Sequence, residues 1–171
     1  MKYNNIILFT LIVLSISVGC QSNENSITNE EAKLVLDKVE TMHIDVDGKL
    51  AYEILDSSYI HYSPLFPSPA SGIDAYAYNI KSNLRSFPDF SLKIDSFFVK
   101  GDIIYSYWTR KGTNTGSLGR MPTTGKKINF SGFTFYRVKD GKILEEHTYW
   151  NVLELYKQLG FQILPPVFEE K

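Results

Sequence analysis

The stretch KINFSGFTFYRVKDGKILEEHTYW, Lys127–Trp150, decides the class of fold. Apolar and polar side chains alternate on both sides of Asp140-Gly141, a dipeptide typical of tight turns between antiparallel strands. The stretch therefore predicts a β-hairpin with strands Lys127–Val138 and Lys142–Tyr149.

The rest of the chain supplies helices and a second hairpin. Apolar residues recur at helical spacing before and after the hairpins, and at a period of two within them. This order predicts an α+β domain, with helices packed on one face of a strongly bent antiparallel sheet. The other predicted strands are a short strand Tyr59–Tyr62 and the hairpin strands Leu92–Lys100 and Ile103–Lys111. Four helices are predicted: Thr28 to about His43, Leu50–Leu55, Ser71 to a stop at Pro88, and Val152–Leu159.

Composition limits the partners that the chain is expected to have. The net charge is −1 over 171 residues and no basic stripe stands out, so nucleic-acid binding is not expected. Aromatic residues make up 14% of the chain, which suits either a half-buried sheet around an apolar cavity or an ordinary packed core. The length beyond the N-terminal segment corresponds to one domain.

The N-terminus has the pattern of an export signal. Lys2 precedes the apolar run Ile6–Val18, which is short for a transmembrane helix, and Ser17–Cys20 resembles a bacterial lipobox. We expect a signal peptide over 1–19, a lipidated tether over 20–28, the domain over 29–166 and a tail over 167–171. The alternative is that Cys20, the single cysteine, is a free thiol; either way no internal disulfide is possible. Gln21 after the cysteine favours the outer membrane.

Five short motifs follow one another in the second half of the chain. Their order and spacing resemble the SnoaL-like polyketide cyclases, which belong to the cone-shaped α+β domains related to nuclear transport factor two. The resemblance implies a cone-like domain that encloses a deep pocket, over roughly Leu55–Pro165. The motifs are FPDF (Phe87–Phe90), GTNTG (Gly112–Gly116), PTTGK (Pro122–Lys126), DGKI-x-E (Asp140–Glu145) and QLG (Gln158–Gly160).

The resemblance also implies a reaction and shows where this chain departs from it. Cyclases of this family close a ring by an intramolecular aldol step, with one carboxylate moving a proton. Asn151 stands at the position of that carboxylate, and an amide cannot act as a general base, although it can hydrogen-bond a developing enolate oxygen. Asn114 and Tyr62 stand where the family has histidines.

The second hairpin offers candidates for a substitute catalytic group. Glu145, His147, Tyr149 and Asn151 alternate, so they share one face of a strand, and this face lines the pocket if the family's positions are kept. His147 is the candidate base because imidazole titrates near neutral pH, with Glu145 to orient it. The alternative, which we favour, is that His147 only fills space in the pocket.

The remaining candidates are residues that could contact a ligand. The predicted set is Tyr62, Phe87, Trp108, Asn114 and Tyr149. For Trp108 core packing is the alternative, and for Phe87 a simple helix stop. His61 is predicted to point away from Tyr62, and His43 to cap the first helix. No metal site and no cofactor are predicted, because the three histidines are scattered and the one cysteine lies in the export signal.

Three functional hypotheses remain open. The first is an exported, lipid-anchored protein that binds a small apolar molecule in the cone without cyclase chemistry, which Asn151 and the export signal favour. The second is a SnoaL-like cyclase that transfers protons through His147 or Glu145. The third is an interaction module that forms a homodimer through the open face of the sheet.

Overall fold

A computed structural model describes residues 26–162 and 164, and over these residues it confirms the predicted α+β class. The predicted signal peptide, Cys20 and the tail lie outside the described residues. The elements in chain order are α1 (Asn29–Met42), α2 (Lys49–Ile54), β1 (Leu55–Tyr62), β2 (Ala70–Ser71), α3 (Ile73–Ser86), β3 (Ser91–Lys100), β4 (Ile103–Thr113), β5 (Lys127–Lys139), β6 (Lys142–Trp150) and α4 (Val152–Gln158).

The six strands form one open sheet in the order β2-β1-β6-β5-β4-β3. Both predicted hairpins are confirmed, and strands β3 to β6 are antiparallel as predicted. Strand β1 runs parallel to β6, a pairing that the prediction did not include. The two strands are joined through α3 and both hairpins, so no tight turn fixes their relative direction. The register places His61 beside Glu146 and Tyr62 beside His147.

Helix α1 begins as predicted and α2 does not. Thr28 and Glu31 form a reciprocal capping box at the start of α1. Helix α2 begins at Lys49 rather than at the predicted Leu50: Gly48 is the N-cap residue at φ 71°, and the Asp45 carboxylate accepts the backbone N–H of Leu50 at 2.8 Å. A left-handed residue just before α2 suits glycine.

The sheet has an inner face covered by the helices and an outer face turned away from them. Because side chains alternate along a strand, each strand divides its residues between the two faces. The inner face joins the buried core that α1 and α3 complete, and its residues on β4, β5 and β6 include Ile104, Ser106, Trp108, Thr134, Tyr136, Glu146 and Thr148.

Candidate functional site

A group of polar side chains lies inside the domain, between the helices and the inner face of the sheet. Helix α1 contributes its cap residue, α3 a tyrosine, and β1, β4 and β6 the rest. We call this group the interior cluster: His43, Tyr59, His61, Tyr76, Arg110 and Glu146. Four members are at most 6% exposed, while His61 and Arg110 are partly exposed.

Glu146 is the centre of the cluster and is 1% exposed. Its carboxylate accepts hydrogen bonds from the Tyr59 hydroxyl at 2.6 Å and the Thr148 hydroxyl at 2.9 Å, and the Nε2 atom of His61 lies 3.6 Å away. Burial alone raises the pKa of Glu146, yet this pKa lies below its ordinary value, because the charges of His61 and Arg110 and the Tyr59 hydrogen bond favour the carboxylate. The site therefore holds a buried negative charge.

A chain of hydrogen bonds connects Glu146 to the middle of the sheet. The Trp108 indole N–H donates to the Thr134 hydroxyl at 2.8 Å, and the hydroxyls of Thr134 and Thr148 lie 3.0 Å apart. Gly132 makes room for the indole, since a Cβ at this position would lie 2.3 Å from the ring. Trp108, a predicted ligand contact, is thus an inner-face residue with its N–H already satisfied.

His43 is a neutral member of the cluster. Its Nδ1 atom lies 2.8 Å from the Val39 carbonyl, and its Nε2 atom lies 3.4 Å from both the Tyr76 hydroxyl and Arg110 Nη2. Burial, and then the nearby charge of Arg110, lower the pKa of His43 to about 4. His43 does cap α1, as predicted, but as a neutral donor to a carbonyl rather than as a cation.

Two nitrogen atoms of the cluster are buried without a hydrogen-bond partner among the described residues. They are Nδ1 of His61 and Nε of Arg110. The Arg110 guanidinium lies over the Trp108 ring at 4.3 Å, which fixes its position without satisfying Nε. Buried polar atoms are normally paired, so these two are the atoms of the cluster whose hydrogen-bonding capacity is unused among the described residues.

Four of the predicted site residues lie together on the outer face. The Glu145 carboxylate is 3.3 Å from His147 Nε2, and the Tyr62 ring stacks on His147 at 4.0 Å. Tyr149, on the same side, is 56% exposed. The prediction that this face of β6 lines the interior was wrong, because the helices pack on the alternate face, which carries Glu146 and Thr148.

Asn151 lies apart from the interior cluster. It is exposed and is the N-cap residue of α4, where its side-chain oxygen accepts the backbone N–H of Glu154 at 3.2 Å. This is an ordinary role for asparagine. The structure therefore gives Asn151 a structural role, the capping of α4.

The last two predicted residues hold loops in place. Asn114 is 1% exposed, its amide N–H groups donate to Ser86 and Gly116 carbonyls, and its oxygen accepts both the N–H and the hydroxyl of Thr124. All four hydrogen-bonding positions are used, which leaves none for a ligand. Phe87 is buried beside Gly112, so it packs in the core.

The interior cluster was not predicted as a group from the sequence. His61 was expected to point away from Tyr62, and it does, but its partner Glu146 was not considered. Alternation predicts that Glu146 and Thr148 share a face, and two polar residues opposite an exposed aromatic set could have drawn attention to them. Arg110 carried no distinguishing pattern.

Two surface grooves, each of about 500 Å³, lie away from the interior cluster. One lies between α1 and the β5–β6 turn, and the other between α1 and β3. Within residues 26–162 and 164, no helix is long and apolar enough to cross a membrane, and no group of three or more metal-binding side chains occurs.

The sequence profile of the SnoaL-like polyketide cyclases matches residues 33–159, and the chain belongs to this family. Among solved structures, TsrD from Streptomyces laurentii is similar with a TM-score of 0.70 and 20% identity, over 78% of this chain and 98% of TsrD. AclR from Streptomyces galilaeus, a candidate hydroxylase, has a TM-score of 0.67 and 21% identity, over 78% and 98% of the two chains.

IdmH from Streptomyces antibioticus, a candidate polyketide cyclase, has a TM-score of 0.65 and 17% identity, over 76% of this chain and 99% of IdmH. No curated protein matches the sequence. At these identities the solved structures share the fold with this chain, and they assign it no substrate.

Proposed function

We propose that this chain is an exported, lipid-anchored SnoaL-like domain that binds a small molecule at the interior cluster, without using Asn151 for acid–base chemistry. The observation that carries the proposal is the buried carboxylate of Glu146 in a cluster with two nitrogens that have no hydrogen-bond partner among the described residues. A buried charge costs several kcal/mol unless it is well paired, and ionisable groups in such surroundings are frequent at functional sites.

The chemistry of the cluster defines what the ligand needs. The aromatic rings of Tyr59, Tyr76 and Trp108 surround the charges, so most of the ligand is expected to be apolar, with one polar group. The route of entry is expected at His61, whose side chain is 13% exposed and is the cluster's contact with the surface at the end of β1.

Native mass spectrometry of the mature chain, extracted in detergent from its own envelope, tests this binding. We expect a retained small molecule in the wild type, lost in His61→Asn and kept in His147→Asn. The second histidine is a matched control because it lies on the outer face. Equal retention by both variants would place the ligand elsewhere.

Proton transfer is a second candidate, favoured by the contact between His61 and Glu146. Nε2 of His61 is turned to the carboxylate, so Nδ1 is the ring nitrogen left, among the described residues, to exchange a proton with a ligand. The hypothesis of catalysis by His147 and Glu145 loses support, because both lie outside the interior. Solvent-deuterium exchange into the retained molecule should occur in the wild type and stop in His61→Asn.

Anchoring at Cys20 is supported by the apolar run and the lipobox-like residues before it. Two or three acyl chains would hold the protein firmly at a membrane, since a single chain gives only marginal binding. The intact mass of the mature protein should show acyl groups, and Cys20→Ser should abolish them. Fractionation of the envelope then tests the outer-membrane prediction.

Self-association is a third candidate, favoured by a row of rings across the outer face. Neighbouring rings are 4.0, 4.2, 6.0 and 4.6 Å apart along the row, and most are nearly parallel. The faces of the rings contact one another within the row, so the ring edges are left for a partner. Ring edges suit packing against a second sheet better than stacking on a base or a sugar. The row is Tyr62, His147, Phe135, Tyr105 and Phe98, one residue from each of five strands.

A further inference from the structure

A groove of about 500 Å³ lies between α1 and the turn that joins β5 to β6, and we call it the α1–hairpin groove. The chain enters the domain along it: Ser26 and Ile27 are among its lining residues, and the Ile27 N–H donates to the Gly101 carbonyl at 2.9 Å. None of its lining residues belongs to the interior cluster.

The wall of the groove is apolar. It is formed by Ile27, Leu34, Val35, Val138 and Leu144. Leu34 is 64% exposed, although it lies on a helix whose neighbouring apolar residues Val35 and Leu36 are buried. An apolar side chain left open beside an apolar cavity is typical of a surface that contacts a partner or a membrane.

The rim of the groove carries two cations that are not engaged elsewhere. Lys38 and Lys139 form no ion pair within residues 26–162 and 164, whereas Arg137 is held by Asp102 at 2.9 Å and by Glu145 at 3.6 Å. Glu31 is occupied by the capping box of α1, which leaves Asp140 as the acidic rim residue without such a contact. The charges of the lining residues sum to zero, with Lys38, Arg137 and Lys139 against Glu31, Asp102 and Asp140, and the two lysines are the cations without an ion pair among the described residues.

We propose that the α1–hairpin groove binds one acyl chain of an anionic membrane lipid, with the chain against the apolar wall and the head group beside Lys38 and Lys139. The part of the proposal that places the groove at a membrane rests on the proposed lipid anchor. An apolar cavity whose rim carries two lysines without a described ion pair matches a molecule with one hydrocarbon end and one anionic end.

The length of chain between the proposed anchor and the groove supports a membrane source for this lipid. The six residues from Gln21 to Ser26 span at most about 20 Å. An acylated Cys20 would thus keep the groove within about that distance of the bilayer surface, where lipids are by far the most abundant apolar molecules. Attraction of the lysines to anionic head groups would add to this effect.

Photolabelling of the mature chain purified from its own envelope tests the proposal. The protein is reconstituted in phosphatidylglycerol vesicles that contain a phosphatidylglycerol with a diazirine on one acyl chain, and a second sample receives a diazirine analogue of palmitate in solution. We expect adducts concentrated in peptides that contain Leu34 and Leu144. Leu34→Glu should reduce them at least about fivefold, because it places a charge in an apolar wall.

The control variant is Leu153→Glu, which changes an equally exposed leucine, 53% exposed on α4, outside the groove. It should leave the labelling unchanged. Adducts spread evenly over exposed apolar residues, or an equal response to the two variants, would overturn the proposal. Labelling by the palmitate analogue but not by the vesicle lipid would overturn the proposal of a membrane lipid and would identify a free fatty acid as the ligand. The intact mass of the same sample reports the acyl groups on Cys20, so failure of the anchor is seen separately.

Discussion

At the scale of single residues, the hydrogen bonds in the interior of this domain depend on the carboxylate of Glu146. Glu146 is surrounded by donors, and its neighbours Tyr59 and Thr148 have no other carboxylate within reach among their described contacts. The phenol of Tyr59 stays protonated, because burial and the charge of Glu146 raise its pKa well above the ordinary value. Each donor therefore depends on the acceptor that Glu146 supplies.

Replacement of Glu146 by glutamine should destabilise the fold strongly. The amide nitrogen would meet hydroxyl donors, and the partners of the lost charge would remain buried, so we expect a loss of about 2–4 kcal/mol. Urea unfolding followed by circular dichroism measures the change. Glu145→Gln is the matched control on the outer face and should stay within about 0.5 kcal/mol of wild type. Similar midpoints for the two variants would contradict the assigned role of Glu146.

The free energy of unfolding should decrease as the pH falls below 6.5, because His43 is buried in its neutral form. The pKa of His43 is 6.5 in an unfolded chain and about 4 in the folded one, so below pH 6.5 the unfolded state binds the proton more readily. The contribution of His43 to the free energy of unfolding is complete above pH 6.5. It is lost as the pH falls toward 4, and the total loss is about 3 kcal/mol.

Unfolding free energies measured between pH 7 and pH 5 test this, because the lowered pKa of the Glu146 carboxylate affects stability only below its ordinary value of 4.5. His43→Gln should flatten the dependence over that range, whereas His147→Asn should not. A slope that survives in His43→Gln would assign the acid sensitivity to another group.

At the scale of elements, the start of α4 depends on one side chain. Asn151 ends β6 and begins α4, and its side chain satisfies a backbone N–H in the first turn. Asparagine and aspartate are about equally good at this position. An aspartate here would thus be both a cap and a carboxylate, while asparagine keeps only the capping role.

Substitutions at Asn151 should therefore change stability and not chemistry. Asn151→Ala should cost about 1 kcal/mol through the lost cap, and Asn151→Asp should be neutral or slightly stabilising because a negative charge favours a helix N-terminus. Thermal unfolding measures both effects. A gain of proton-transfer activity in Asn151→Asp would instead place this residue in an active site.

The elements were predictable from the sequence to the extent that local contacts determine them. The capping box at Thr28 and the Asp140-Gly141 turn act within a few residues, so α1 and the β5–β6 hairpin have nearly the predicted bounds. The parallel pairing of β1 with β6 was not predictable in this way, because it joins distant parts of the chain.

The candidate site was less predictable than the elements, for a related reason. Alternation shows that Glu145 and His147 share one face and that Glu146 and Thr148 share the other, but it does not show which face the helices cover. Four of the eight predicted site residues, Glu145, His147, Tyr149 and Asn151, were placed in the interior by the expected position of the family's carboxylate, and Tyr62 by that of a family histidine.

At the scale of the whole molecule, the outer face of the sheet is the large surface that the helices leave open. Phe98, Tyr107 and Tyr149 are 57%, 48% and 56% exposed on it, and the ion pairs of Arg137 lie at one side of the aromatic residues. An apolar centre with a charged margin is the usual arrangement of a protein–protein interface.

The oligomeric state of the protein in solution should therefore depend on the outer face of the sheet. We expect a homodimer by analytical ultracentrifugation, weakened at least about tenfold by Tyr149→Glu, because the charge would be buried between the sheets. Tyr78→Glu is the control, since Tyr78 is 64% exposed on the helical side. If the wild-type protein stays monomeric at high concentration, the hypothesis of a homodimer is contradicted.

The parallel pairing of β1 and β6 has a consequence for how the domain forms. Tyr59 and Glu146 are 87 residues apart in the chain, and their contact belongs to the β1–β6 pairing, which closes the longest loop between neighbouring strands of the described sheet. Closure of so long a loop is slow compared with formation of the hairpins, so it belongs late in folding. An intermediate with both hairpins formed would still lack the interior cluster. Proteolytic cleavage or truncation before β6 would accordingly abolish the site while leaving most of the strands able to pair.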